Sequence, residues 1–129
     1  MNPQRNDKKG KKGFKRLRNA LSYSLNGIAS GWRDEEAFRQ IAFLSLILIP
    51  VSFFLARNWI ELVLLLLPCF LALCVELINS AIENAIDFTS LEIHPLAKKA
   101  KDMGSAAQLF ALIFWAIVWI GYFIDRFTL

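Results

Sequence analysis

Fourteen consecutive apolar residues, Leu62 to Val75, run without a break into a line of acids and amides that ends at Asp87. On a helix, Glu76, Asn79, Ser80, Glu83 and Asp87 step by three or four and share one face. A carboxylate held near the middle of a bilayer costs about 2.5–3.5 kcal/mol on insertion scales. Several on one stripe mark a reaction or transport site in or at a membrane.

The rest of the chain agrees with a membrane setting. Its 129 residues allow one domain, and they are 56% hydrophobic with eleven Phe and four Trp. Apolar residues cluster in three long runs instead of recurring with a period. One such run fits a buried helix of a soluble protein; three leave no room for the rest of a globule.

Charge sets the expected topology. Ten of the fifteen Lys and Arg lie between Arg5 and Arg39, and Lys98, Lys99 and Lys101 lie between the second and third runs. Only Arg57 and Arg126 remain. The positive-inside rule puts the N-terminus in the cytoplasm and the C-terminus outside the inner membrane. Anionic lipid accounts for the basic N-terminus beside a span, so nucleic acid is not an expected partner. Cys69 and Cys74 have no metal-ligand spacing and read as small core residues. No cleavable signal peptide is visible, because the first long apolar run has the length of a span.

Residues 1–13 read as a basic flexible tail, followed by one integral-membrane domain over 14–129. Phe14, Leu17, Leu21, Leu25, Ile28 and Trp32 recur at helical spacing, which predicts an amphipathic surface helix over 14–32. Spans are expected over about 35–56, 60–88 and 101–124. Pro95 stands in helix-opening position before the third. Trp115, Trp119 and Tyr122 read as anchors at the outer interface. The second span would be roughly 42 Å long, beyond the ~30 Å hydrocarbon core. Its polar stripe therefore lies in the inner third of the bilayer and just past it. The fold class is all-α membrane protein.

Acids at Glu35, Glu36, Glu76, Glu83, Asp87, Glu92 and Asp102 gather near the inner face, with cations at Arg16, Arg33, Arg39, Lys98, Lys99 and Lys101 and a single histidine, His94. There is no P-loop motif. Paired carboxylates beside lysines are what magnesium–polyphosphate binding needs: hard oxygens for the metal and cations for the phosphates. A further carboxylate could accept a proton from an attacking hydroxyl. On composition alone, a small transporter using one membrane Glu for proton coupling is an equal reading. Each group also has a structural reading. Glu76, Asn79 and Glu83 could be interhelical glue, Glu35 a helix-start acid, Lys101 a snorkelling anchor, and His94 an ordinary loop residue.

Three segments carry a resemblance. Glu76-Leu-Ile-Asn-Ser-Ala-Ile-Glu83, Ala100-Lys-Asp-Met-Gly-Ser-Ala106 and Glu35-Glu-Ala-Phe-Arg-Gln40 are similar, in order and spacing, to the signatures of the bacterial integral-membrane diacylglycerol kinase family. The similarity spans about residues 14–124. It implies a homotrimer of three-span subunits with shared active sites. The implied activity is magnesium-dependent transfer of the ATP γ-phosphoryl group to diacylglycerol, giving phosphatidic acid for phospholipid recycling. Carried over by motif, Glu76 is the proton acceptor, and Glu35 and Glu83 hold magnesium. Those two acids, with Tyr23, Glu92, His94, Lys101 and Asp102, bind ATP. Arg16, Ser24, Trp32, Ala37, Phe38, Arg39, Gln40, Asn79 and Ser105 border the lipid.

Ile41 stands where an acid is usual after the first motif. Lys98-Lys99 replaces a small residue and Arg, and Pro95 follows His94. The His-Pro-Leu-Ala-Lys wording is nearer to relatives that phosphorylate undecaprenol, so undecaprenol kinase is the alternative within the class.

Overall fold

The computed structural model describes residues 13–129, which form four helices and, among the described residues, no strand. They are α1 (Phe14–Asp34), α2 (Glu36–Leu55), α3 (Trp59–Thr89) and α4 (Pro95–Thr128). The last three are long and apolar enough to cross a membrane. Apart from Gly13, the basic tail expected over 1–13 lies outside the described residues.

Local chemistry explains several of the helix ends. Gly13 takes a φ of 71°, which costs a glycine nothing, and its carbonyl accepts from the amides of Arg16 and Leu17 at 3.1 and 3.3 Å. At the other end of α1, the Arg39 guanidinium donates to the carbonyls of Trp32 and Arg33, both at 3.0 Å. A cation on the last carbonyls of a helix satisfies orphan acceptors and opposes the dipole. Asn58 caps α3 by accepting from the Glu61 amide at 3.0 Å, while the Glu61 carboxylate accepts from the Arg57 amide at 3.0 Å. His94 caps α4, with Nδ1 accepting from the Leu96 amide at 3.2 Å and Pro95 in the first turn. That cap starts α4 six residues before the expected position, and the helix runs four residues past Ile124.

The central helix is α3, with α2 and α4 both packed on it. Buried positions on α4 are Gly104, Gln108, Ala111, Trp115 and Trp119; on α3 they include Leu65, Cys69, Ala72, Glu76 and Ser80. Both sets step by three or four, so each is one stripe facing the other helix. Two sequence expectations are corrected here. Trp115 and Trp119 are not interfacial anchors. They are 4% and 5% exposed, sit in the core with Ile41, Leu65, Cys69 and Ala72, and the Trp119 indole donates to the Leu65 carbonyl at 3.2 Å. Cys74 is exposed instead of being a core residue, because the stripe of Cys69, Ala72 and Glu76 leaves it on another face. Ile41 is buried in that same core.

Contacts from α1 reach α2 and α3, and its only buried residue is Gly31. A Cβ there would come within 3.1 Å of the side chains of Leu77 and Phe38. Phe14, Leu17, Leu21, Leu25 and Ile28 are all exposed.

Candidate active site

The polar stripe of α3 enters a cavity of about 380 Å³. Glu76, Asn79 and Glu83 line it from α3, Glu35 and Ala37 from the start of α2, and Ser105 and Gln108 from α4. Glu76 is 5% exposed at its base, with Gln108 beside it and the charges of Glu35 and Glu83 within reach. No Lys, Arg or His is among the lining residues. Three carboxylates therefore line one open cavity with no protein cation among its lining residues.

Two amides fix the flanking acids. Asn79 Nδ2 donates to Glu83 Oε1 at 3.2 Å, and Asn84 Nδ2 donates to Glu35 Oε1 at 3.0 Å. The Asn79 oxygen is buried and has no hydrogen-bond partner, and the same holds for Gln108 Oε1. Gln108 is anchored through its nitrogen to the Ala72 carbonyl at 3.2 Å. Gly104 lies against Asn79, and a Cβ at 104 would overlap the Asn79 oxygen. A glycine on α4 therefore makes room for an asparagine on α3.

A magnesium ion fits this donor set in part. Carboxylate oxygens are hard donors, and three acids lining one cavity with no cation among the lining residues suit a bound cation. Glu35 and Glu83 would hold it. Among the described residues, no group of three or more His, Cys, Asp or Glu is arranged as a ready metal cage. That matches an ion that keeps several waters and takes its remaining ligands from substrate phosphates.

A second cavity, of about 400 Å³, lies one turn along the same two helices. Asp87 follows Glu83 by four residues on α3, and Lys101 precedes Ser105 by four on α4, about 6 Å of rise in each case. Lys101 bonds Asp87 and Lys98 bonds Asp102, both at 2.6 Å and both partly exposed. Glu92 and His94 line the same space. Exposed ion pairs of this kind contribute little to stability and exchange partners readily.

The remaining expected site residues are dispersed. Ser24 lines a larger cavity of about 650 Å³ between α1 and α3, of which Glu35 and Asn84 form part of the wall. Trp32 and Phe38 line an apolar groove with Leu46, Phe70 and Leu73. Arg39 is engaged by the end of α1, and Gln40 contacts Glu36 at 3.4 Å. Arg16 and Tyr23 line none of these cavities.

Sequence reasoning left Gln108 and Asn84 without a role. Gln108 carried a usable signal, being the lone amide within an apolar span. Asn84 stood in the polar run but off the main stripe, and its partner is 49 residues away.

A sequence model of prokaryotic diacylglycerol kinase matches residues 22–123, which contain every acid of the two cavities. The chain belongs to the prokaryotic diacylglycerol kinase family. It resembles the diacylglycerol kinase of Helicobacter pylori at 59% identity over 111 residues, 86% of this chain and 87% of that one. The Pseudomonas aeruginosa diacylglycerol kinase is 52% identical over 111 residues, 86% of this chain and 90% of its own length. The Escherichia coli diacylglycerol kinase is 41% identical over 107 residues, 83% and 88% of the two chains. The protein is a kinase, and the membrane-spanning transporter reading is set aside.

Proposed function

We propose that this kinase transfers the γ-phosphoryl group of ATP to the free hydroxyl of diacylglycerol, producing phosphatidic acid and ADP. The observation that carries the reading is the cavity where Glu35, Glu76, Asn79 and Glu83 converge without a protein cation. It is adjacent to a second cavity that offers Lys98 and Lys101.

In the reaction, the lipid hydroxyl oxygen bonds to the γ-phosphorus as the bond to the β-phosphate bridging oxygen breaks. Glu76 takes the hydroxyl proton. Its place on a span suits a lipid alcohol whose acyl chains hold it at headgroup depth. Bound magnesium would neutralise charge on the phosphoryl oxygens as the transfer proceeds. Glu35 and Glu83 would hold that ion, with Asn79 orienting Glu83. Lys101 and Lys98 exchange their carboxylate partners for phosphate oxygens.

The working assembly is a homotrimer with shared sites and with α1 on the cytoplasmic membrane surface. The exposed apolar row of α1 supports the surface placement.

Diacylglycerol is favoured over undecaprenol because relatives 41–59% identical to this chain carry that name. The test is transfer of labelled γ-phosphate by purified protein, with the two lipid alcohols offered in parallel and magnesium present or chelated. Label in phosphatidic acid, lost on chelation, is expected. Faster labelling of undecaprenol would reassign the acceptor, and ATP consumption indifferent to lipid would refute the reading.

A further inference from the structure

Glu35 is the residue between two helices. Its backbone is extended, at φ −113° and ψ 111°, its amide donates to Gly31 at 3.0 Å to close α1, and its carbonyl accepts from Arg39 at 3.2 Å to open α2. An acid at this position usually accepts from the first amides of the following helix. Here the side chain makes no such cap bond. A long carboxylate at a joint has several rotamers open to it unless something else holds it.

Asn84 does so. Its Nδ2 donates one hydrogen to Glu35 Oε1 at 3.0 Å and the other to the Ser80 carbonyl at 2.8 Å. Both partners are pure acceptors, so the donating atom must be the nitrogen. Both amide hydrogens are thereby directed, one at each acceptor. Glu35 borders both the 380 Å³ carboxylate cavity and the 650 Å³ cavity between α1 and α3, whereas Asn84 borders only the latter. Asn84 thus reaches Glu35 from behind. It occupies one carboxylate oxygen and leaves Oε2 without a hydrogen bond among the described residues. Asn79 treats Glu83 the same way from within the cavity.

We propose that Asn84 is a positioning residue, which fixes the Glu35 carboxylate and the α1–α2 joint against α3 so that the site can receive a divalent cation. The inference rests on the reading of Glu35 as a cation ligand. Partners of metal ligands commonly change affinity by 10- to 100-fold when removed.

Manganese is the probe, its binding followed by electron paramagnetic resonance on the full-length protein with a non-hydrolysable ATP analogue. Asn84→Ala should weaken binding by about 10-fold. Asn84→Asp should weaken it further, because a second carboxylate would face Glu35. Asn84→Ser keeps the bond to the Ser80 carbonyl but is too short to reach Glu35, so it should behave as the alanine variant while leaving α3 undisturbed. In a Glu35→Gln background, Asn84→Ala should add no further loss. The two levels fail differently. If Glu35→Gln leaves manganese affinity unchanged, the ligand assignment of Glu35 falls. If Glu35→Gln weakens binding but Asn84→Ser and Asn84→Ala bind like the parent, the role of Asn84 falls.

Discussion

The side-chain oxygen of Asn79 lies where a Cβ of residue 104 would be, so Gly104 and Asn79 are matched across the α3–α4 contact. The match orients the amide: its nitrogen is held by Glu83, so its oxygen must face the glycine. That oxygen is buried and accepts no hydrogen bond among the described residues. Glycine within a helix is otherwise unfavourable by about 1 kcal/mol relative to alanine.

Gly104→Ala should therefore stabilise α4 locally while displacing Asn79. A displacement of that kind in a catalytic site lowers kcat by roughly 10–100-fold. In an Asn79→Ala background the same substitution should cost no further activity and should raise the thermal midpoint. Gly121→Ala, on the same helix with open space around it, is the control: it should stabilise α4 and leave turnover unchanged. Equal losses from Gly104→Ala in both backgrounds would show that the glycine acts on something other than Asn79.

At the far end of the bundle, the Tyr122 hydroxyl has two acceptors for its one proton, the Leu55 carbonyl and Glu61 Oε2, each 2.8 Å away. One hydroxyl thereby ties α4 to the end of α2 and the start of α3. Tyr122→Phe should lower the thermal midpoint by roughly 5 °C while leaving kcat near the parent value, since the carboxylate cavity is at the opposite end. A large loss of turnover at a temperature where the variant is folded would link this clasp to the site.

The polar stripe was legible because Glu76, Asn79, Glu83 and Asp87 interrupt or follow apolar sequence, where any polar group stands out. The three spans were legible for the same reason. The facing of α4 was not. Between Ser105 and Ile124 nearly every residue is apolar, so no period shows which side turns inward. Trp115 and Trp119 consequently read as interface anchors, although they continue the buried stripe of Gly104 and Gln108. Pairings over long sequence distance, such as Asn84 with Glu35, have no local signal at all. The start of α4 was half visible: Pro95 announced it, but the cap supplied by His94 is a matter of geometry.

Orientation in the membrane is expected from charge and from the site together. Thirteen Lys and Arg fall on the side of the N-terminus and the Lys98–Lys101 segment, against Arg57 and Arg126 on the other. Both cavities lie at the thirteen-residue end, and ATP is cytoplasmic. With Cys69 and Cys74 replaced, a cysteine at Asn58 should react with an impermeant reagent added outside intact cells, and one at Lys98 should not. The reverse pattern would invert the topology and separate the site from its nucleotide.

Glu76 decides whether the carboxylate cavity performs the chemical step. It is the most enclosed of the three acids, it belongs to the buried stripe of α3, and no lysine or arginine lines its cavity. A carboxylate in that position is costly, so a purely structural role would favour an amide, which keeps the hydrogen-bonding shape without the charge. Glu76→Gln separates the two roles. As interhelical glue, Gln should serve as well as Glu, with turnover and stability intact. As the proton acceptor, Glu76 cannot be replaced by an amide, which has no basicity to offer. The expected outcome is a kcat lower by about 10²–10⁴ with ATP affinity nearly unchanged and the helices at least as stable as in the parent. Measuring kcat, nucleotide affinity and thermal midpoint on the same preparation distinguishes loss of the base from loss of the fold. Near-normal turnover would move the proton to another acid, and Asp102, whose carboxylate is exposed and paired with Lys98, is the next to substitute.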